Sequence, residues 1–249
     1  MAQQNLEILH RDALTKGGFP GLKEHRLVTG KKLWGDRANP DAWDGIGNFA
    51  YLADAQFAPK GVTTMHPHKE IDVISVMVEG RIAHQGSLEH GGWLNTNDAQ
   101  VQRAGGEGFR HNEVNPDDKE NRMLQLWVLP EVKGAPAGCK KFSLAWGETT
   151  RIYGGTTEDT QSFAAQTTID VAMLTADQSV ELTAPYLAYV AKGDGQLDGT
   201  VLTGVKLIRG TDGIFKATTD VQLILIGTLA LRSNPPRKAP PCLTNLQNS

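Results

Sequence analysis

The chain has 249 residues, of which 39% are hydrophobic, and its formal net charge is -3. This composition predicts a folded protein with a proper apolar core, in one large domain or two modest ones. Basic residues form no cluster beyond short pairs such as Lys31-Lys32 and Lys140-Lys141, so a surface for direct nucleic-acid binding is not expected.

The sequence gives no sign of export or membrane insertion. Its N-terminal residues lack the apolar core of a signal peptide, and no apolar run approaches the roughly 18 residues of a membrane span. We therefore expect a cytoplasmic protein. Cys139 and Cys242 lie far apart without CxxC or Cys/His spacing, which favours buried or unused thiols over a disulfide framework.

In chain order, the local patterns predict a mostly β protein. Asn5–Leu14 is a weak candidate for a helix, whereas short apolar runs between glycine, Asn/Asp and proline dominate the rest. The small, proline-containing segment Glu131–Gly138 predicts a linker, and the tail Ser233–Ser249, with four prolines, is not expected to extend a sheet. The candidate strands are Ile71–Val78, Asn121–Leu129, Thr168–Leu174, Tyr186–Ala191, Val201–Ile208 and Val221–Leu231.

A weak internal repeat links the two halves. Met77–Gly86 aligns with Val190–Gly199 at an offset of 113 residues, and both segments have the pattern strand, charged residue, glycine turn, strand. The halves are also of similar length. We therefore predict two related β-barrels in tandem, with domains at residues 1–134 and 135–249.

Four residues have the spacing of metal ligands on strands. His66 and His68 share one strand face because side chains alternate, and His111 and Glu113 do the same. Two such pairs on neighbouring strands supply three imidazoles and one carboxylate. This set suits Fe(II), and also Mn(II), Ni(II), Cu(II) or Zn(II). The alternative interpretation is that these residues are solvated strand ends.

Several motifs between residues 66 and 130 occur in a specific order. They are His66-Pro-His68, Val76-Met-Val-Glu79-Gly80, His84-Gln-Gly-Ser87-Leu88, Gly105-Gly-Glu-Gly108, His111-Asn-Glu113 and Gln125-Leu-Trp-Val128 with Pro130. In this order and spacing they resemble the pirin family of cupin proteins. The resemblance implies an all-β bicupin, that is, two tandem jelly-roll-like barrels. It also implies that His66, His68, His111 and Glu113 bind a metal, usually iron, in the first barrel.

The resemblance implies no metal in the second barrel, and the offset of 113 agrees. It aligns the histidine pair with Ser179 and Glu181, and it aligns His111 and Glu113 with two isoleucines, Ile224 and Ile226. One carboxylate, one serine and two isoleucines do not form a chelating set.

The activity implied by the resemblance is that of a quercetin 2,3-dioxygenase. Such an enzyme opens a phenolic flavonol with O2, and Glu113 is the candidate base for the substrate hydroxyl. The alternative is a non-catalytic, iron-binding regulator that responds to redox state and binds a protein partner. A cupin enzyme acting on another small molecule also stays open, because fold does not fix function.

Some positions depart from the family pattern. Lys31–Pro40 replaces an aromatic-rich segment and leaves the pocket entrance undefined, and Glu70 and Asp72 replace a glycine and a glutamate. Asp72 is either a partner of a ligand imidazole or a strand-end charge. His84 either accepts a substrate proton or, as we favour, is a hydrogen-bonded turn histidine, whereas Arg110 is expected on the face opposite the ligands.

Overall fold

The computed structural model describes residues 5–88 and 92–229, and their regular structure is almost all β-strand. The helical elements within these ranges are short: helix α1 (Lys31–Trp34) and two 3-10 turns, Arg11–Ala13 and Gly35–Arg37. No helix of the described residues is long and apolar enough to cross a membrane. The predictions for Cys242 and the tail Ser233–Ser249 lie outside the described residues.

The first half of the chain builds one barrel from two sheets. The strands up to β12 are β1 (Glu7–His10), β2 (Gly17–Phe19), β3 (Leu22–Thr29), β4 (Phe49–Phe57), β5 (His66–His68), β6 (Asp72–Glu79), β7 (Arg81–Gly86), β8 (Gly92–Asn95), β9 (Asp98–Arg103), β10 (Phe109–Val114), β11 (Asn121–Val128) and β12 (Gly138–Ser143). A seven-stranded sheet has the order β12-β9-β6-β11-β4-β3-β2, and a four-stranded sheet has the order β5-β10-β7-β8.

The second half repeats this plan. The remaining strands are β13 (Thr149–Gly155), β14 (Ala165–Leu174), β15 (Ser179–Leu182), β16 (Leu187–Lys192), β17 (Gly195–Leu197), β18 (Thr200–Leu202), β19 (Lys206–Arg209), β20 (Gly213–Ala217) and β21 (Val221–Thr228). They form a six-stranded sheet, β1-β19-β16-β21-β14-β13, and a four-stranded sheet, β15-β20-β17-β18. The small sheets have matching topology, so the predicted all-β bicupin is confirmed.

The large sheets of the two barrels pack face to face. Along β6 the residues alternate between this junction, reached by Ile74 and Val76, and the interior of the first barrel, reached by Val73 and Met77. Burial on both faces makes such strands almost continuously apolar in sequence. The largest apolar cluster of the described residues therefore lies between the barrels and contains residues of both large sheets.

The interiors of the two barrels differ in polarity. Inside the second barrel one apolar cluster includes Leu182, Leu197, Phe215 and Ala217. Inside the first barrel the buried apolar residues fall into two separate clusters, one around Met77 and Met123 and the other around Val73 and Phe109. Polar residues occupy the strands between these clusters, and they include the predicted metal ligands.

Sheet membership crosses the predicted domain boundary at residues 134 and 135. Strand β1 pairs with β19 of the second barrel, with Glu7 opposite Arg209. Strand β12, beyond the predicted linker, pairs with β9 of the first barrel, with Gly138 opposite Arg103. The boundary itself stays a prediction. Each large sheet has one edge strand whose residues lie on the other side of this boundary: β12 in the sheet of the first barrel and β1 in the sheet of the second.

Two element predictions were wrong. Asn5–Leu14 is not a helix but strand β1 followed by a 3-10 turn, because pairing with β19 satisfies its backbone and places Leu9 against the core. The predicted strand Val201–Ile208 is two strands, β18 and β19, separated by a turn in which Gly204 has a φ of 70°.

Candidate metal centre

The predicted ligands lie on adjacent strands of the small sheet in the first barrel. Strand β10 runs antiparallel to β5, and His111 lies directly opposite His66. Side chains alternate along both strands, so His66 and His68 face the same interior as His111 and Glu113. His68, His111 and Glu113 are buried, whereas His66 is half-buried at the opening.

His66, His68 and His111 come together, and Glu113 adjoins this group through His111. The Nε2 atoms of His66 and His111 are 3.2 Å apart, and Nε2 of His111 lies 3.6 Å from Oε1 of Glu113. The ring of His68 has its centroid 4.9 Å from that of His66 and 5.0 Å from that of His111. The ligand-type atoms of the three histidines all lie within 4.8 Å of one another.

These distances fit a single cation. Metal bonds to imidazole and carboxylate are about 2.1 Å long, so adjacent ligand atoms around one ion are about 3.0 to 3.4 Å apart. The distances of 3.2 Å and 3.6 Å agree with this spacing to within small side-chain shifts. Nε2 of His68 is also buried and has no hydrogen-bond partner, as expected for an atom that a metal would engage.

The charge state of the histidines favours metal binding. Burial, reinforced by the neighbouring imidazoles, lowers the pKa of His68 to about 3, and burial with His66 nearby lowers the pKa of His111 to about 3. Both rings are therefore neutral near pH 7. Nδ1 of His66 donates to the carbonyl of Thr64 at 2.8 Å, which leaves Nε2 with a free lone pair toward His111.

Two residues to which the sequence analysis assigned no role hold Glu113. The hydroxyl of Thr63 donates to Oε2 at 2.6 Å and accepts the backbone N–H of Glu113 at 2.8 Å. Nε2 of Gln125 donates to Oε1 at 3.2 Å. Gln125 is a polar residue within a strongly apolar strand, and that signal could have found it, whereas Thr63 lies in a loop without any pattern.

An aromatic stack stands beside the ligands. The ring of Trp127 lies 5.8 Å from that of His68, and Tyr51 and Trp34 stack on Trp127 at centroid distances of 4.4 Å and 6.2 Å. Trp34 comes from helix α1, within the segment Lys31–Pro40 that departs from the family pattern. Although this segment replaces the aromatic-rich stretch of the family, it still places one aromatic side chain, that of Trp34, near the site.

The other site residues had mixed outcomes. Arg110 is exposed on the face opposite the ligands, as predicted. His84 is not a hydrogen-bonded turn histidine: it lies within β7, is 1% exposed, and neither ring nitrogen has a hydrogen-bond partner. Asp72 does not support a ligand imidazole: it stands at the first position of β6, as the strand-end interpretation predicted, but it is fully buried at the junction, where Oδ2 accepts the Tyr153 hydroxyl at 2.7 Å.

The second barrel has apolar residues in the corresponding place. Strand β20, not β21, occupies the position of β10, so the alignment of Ile224 and Ile226 with His111 and Glu113 was wrong. Opposite Leu197 on β17 lies Phe215 of β20, where the first barrel has His84 opposite Glu113. Within residues 5–88 and 92–229, both groups of metal-ligand type lie in the first barrel.

Comparisons with known proteins agree with this architecture. Residues 38–128 match the family model described as Pirin. The chain is 36% identical to the "Pirin-like protein" of Caulobacter vibrioides over 91 residues, which are 36% of this chain and 39% of that protein. It is 34% identical to the "Quercetin 2,3-dioxygenase" of Escherichia coli (strain K12) over 70 residues, 28% of this chain and 30% of that protein.

Solved structures extend the likeness to the whole fold. The crystal structure of the bacterial pirin YhhW from Escherichia coli, in complex with nickel(II), matches with a TM-score of 0.75 and 17% identity, over 89% of this chain and 97% of that one. A quercetin 2,3-dioxygenase from Acinetobacter baumannii matches with a TM-score of 0.65 and 19% identity, over 91% and 88%.

The sequence matches cover a smaller share of the chains than the structural matches do. The chain spans about a third to a half of the length of the curated relatives it matches in sequence, whereas the structural match covers both barrels. The family match includes all four converging side chains. The resemblance to the pirin family is therefore confirmed over residues 38–128.

Proposed function

We propose that this protein is a metal-dependent dioxygenase that opens the central ring of quercetin or a related flavonol. The observation that carries the proposal is the grouping of His66, His68 and His111 inside one barrel, with Oε1 of Glu113 3.6 Å from Nε2 of His111. The relatives named quercetin 2,3-dioxygenase support the reaction class. A cytoplasmic location and the absence of direct nucleic-acid binding stay predictions.

The three histidines would hold the metal through ring nitrogens, and Glu113 would hold it through Oε1. We infer Fe(II) as the resident ion, with Mn(II), Ni(II), Cu(II) and Zn(II) as ions that the same nitrogen and oxygen set accepts. A bound metal of this kind would lower the pKa of a phenol that it ligates, and it would activate O2 for reaction with that phenol. The overall reaction consumes one flavonol and one O2 and releases carbon monoxide and the ring-opened product.

Glu113 is the candidate general base. Thr63 holds Oε2, so Oε1 is the oxygen directed toward His111, where the hydroxyl of a bound flavonol would approach. Gln125 donates to Oε1 and fixes its position. When Oε1 is released from the metal, a carboxylate held at this place would accept the substrate's hydroxyl proton within hydrogen-bond reach.

The surroundings of the ligands suit a flat aromatic substrate. Phe109 and Trp127 flank His68, with ring centroids 5.2 Å and 5.8 Å from the imidazole. A buried apolar cluster containing Phe109 adjoins the site. These side chains exclude water from the reacting hydroxyl and favour packing against a planar phenol.

The test is turnover by protein of verified metal content. Iron-loaded protein is mixed with quercetin without oxygen, O2 is then admitted, and flavonol loss and carbon monoxide are measured. We expect turnover, and a decrease of about 10²- to 10⁴-fold in Glu113→Gln protein that still holds metal. Glu107→Gln, an exposed change nearby, is the control.

Absence of turnover by metal-loaded wild-type protein overturns the proposal. In that case, a metal spectrum that quercetin leaves unchanged, together with a protein partner whose binding depends on the iron oxidation state, would favour the non-catalytic regulator.

A further inference from the structure

His84 is a buried polar residue of the first barrel that the proposed ligand set leaves unexplained. Its side chain is 1% exposed, and neither Nδ1 nor Nε2 has a hydrogen-bond partner. A buried imidazole without any partner is costly, and native proteins rarely keep one without a reason. An ion held by His66, His68, His111 and Glu113 would leave both nitrogens of His84 unpaired.

His84 is close enough to two of those ligands to form a set of its own. It lies directly opposite Glu113 on the neighbouring strand, and its ring stacks against that of His111 at a centroid distance of 5.7 Å and an angle of 17°. Ligand-type atoms of His84, His111 and Glu113 all lie within 4.8 Å of one another, and all three residues are buried.

The fold itself does not require a histidine at this place. In the second barrel, Leu197 occupies the corresponding position opposite Phe215, and both are buried in an apolar cluster. A leucine therefore satisfies the packing of this architecture at lower desolvation cost than an unpaired imidazole. The histidine in the first barrel calls for a chemical role.

We propose that His84, His111 and Glu113 form a second, inner cation position that overlaps the outer one of His66, His68, His111 and Glu113. The inner set has two imidazoles and one carboxylate, which suits Zn(II), Co(II) or Ni(II). The proposed four-residue site and this inner position share His111 and Glu113, so we infer that they are alternatives for one ion. This inference rests on the proposed metal site and does not depend on turnover.

The experiment removes the outer position and measures what binds. Co(II) alone is titrated into the full chain with His66→Ala/His68→Ala, and into the same protein carrying His84→Leu in addition. Bound cobalt is measured by metal analysis after gel filtration and by its visible absorption. We expect the double variant to hold one ion more weakly than wild-type protein, and the triple variant to lose at least about tenfold in affinity beyond that.

His10→Leu added to the double variant is the matched control, because His10 is exposed and outside both ligand groups, and it should bind cobalt like the double variant. A folded double variant that binds no cobalt overturns the inference, as does a triple variant equal to the double one. If the double variant does not fold, His66→Gln/His68→Gln with and without His84→Leu gives the same comparison. Failure of wild-type protein to bind any cobalt would instead count against the proposed metal site.

Discussion

The hydroxyl oxygen of Tyr189, in the second barrel, lies 2.5 Å from Oδ2 of Asp54 in the first. The same carboxylate is 1% exposed and accepts two hydrogen bonds from Arg122, at 2.8 Å and 2.5 Å. Burial raises the pKa of Asp54, but the hydrogen bonds from Arg122 and Tyr189 outweigh it, so the pKa is lowered overall. A charged carboxylate thus stands at the junction of the barrels and depends on these partners.

We expect Arg122→Met to lower the free energy of unfolding by about 3 kcal/mol, because it removes the main partner of a buried charge. Arg11, 3.2 Å from Asp54, keeps the loss at the lower end of the usual range. Urea denaturation measures the change. The control is Arg151→Met, which breaks the more exposed pair with Asp170 and is expected to cost less than ~1 kcal/mol. Equal losses in the two variants would contradict the prediction.

Metal binding is expected to be most sensitive to His111, because it belongs to both groups of ligand-type side chains. His111→Ala should weaken metal binding by more than the roughly 10- to 100-fold that loss of an indirect partner produces. Competition with a chelator of known affinity measures this. His10→Ala, on an exposed strand residue, is the control and should bind like wild-type protein. Unchanged binding by His111→Ala would exclude the site.

Thr63 is expected to tune the site without touching the metal. Thr63→Val removes the hydroxyl that holds Oε2 of Glu113, so we expect metal affinity to fall by about 10- to 100-fold. The matched control is Thr64→Val, because Thr64 is exposed and contacts His66 through its backbone carbonyl. Isothermal titration of both variants makes the comparison, and similar affinities would show that Glu113 needs no such support.

The buried neutral state of His84 predicts acid sensitivity of the metal-free protein. Burial lowers its pKa from 6.5 to about 4, so between these pH values the unfolded chain binds a proton that the folded protein does not. The resulting stability is present above pH 6.5 and is lost as the pH falls toward 4, by at most ~1.4 kcal/mol per pH unit.

His84→Leu should therefore flatten the pH profile in this range. His68 and His111 titrate in both proteins, so the difference between the profiles isolates His84. Urea denaturation from pH 4 to 7, with a chelator present, measures it. Parallel profiles for wild-type and variant protein would refute the buried neutral imidazole.

The ligand positions could be predicted because a strand alternates its faces with a fixed period of two. That period alone puts His66 and His68 on one face of their strand, and His111 and Glu113 on one face of theirs. The pairing of β5 with β10 could not be derived from spacing, since it is a long-range contact; the family resemblance supplied it.

The errors have physical causes. A constant offset between the halves fails once a connection changes length, which is why Ile224 and Ile226 were aligned with β10 rather than with β11. The sequence also could not show which polar residues are buried. Asp72 has the position of a strand-end charge, but it accepts a hydrogen bond from Tyr153 across the junction. Glu70 has a φ of 53°, a conformation that favours the glycine the family has there.

The crossed edge strands have a consequence for biosynthesis. Glu7 pairs with Arg209, 202 residues further along, so β1 leaves the ribosome long before its docking place exists. During that interval β1 has no partner strand, and an unpaired strand edge is a template for association with other chains. A nascent chain of this protein thus reaches its protected form only after both barrels have been translated, and chaperones that shield strand edges would act in that window.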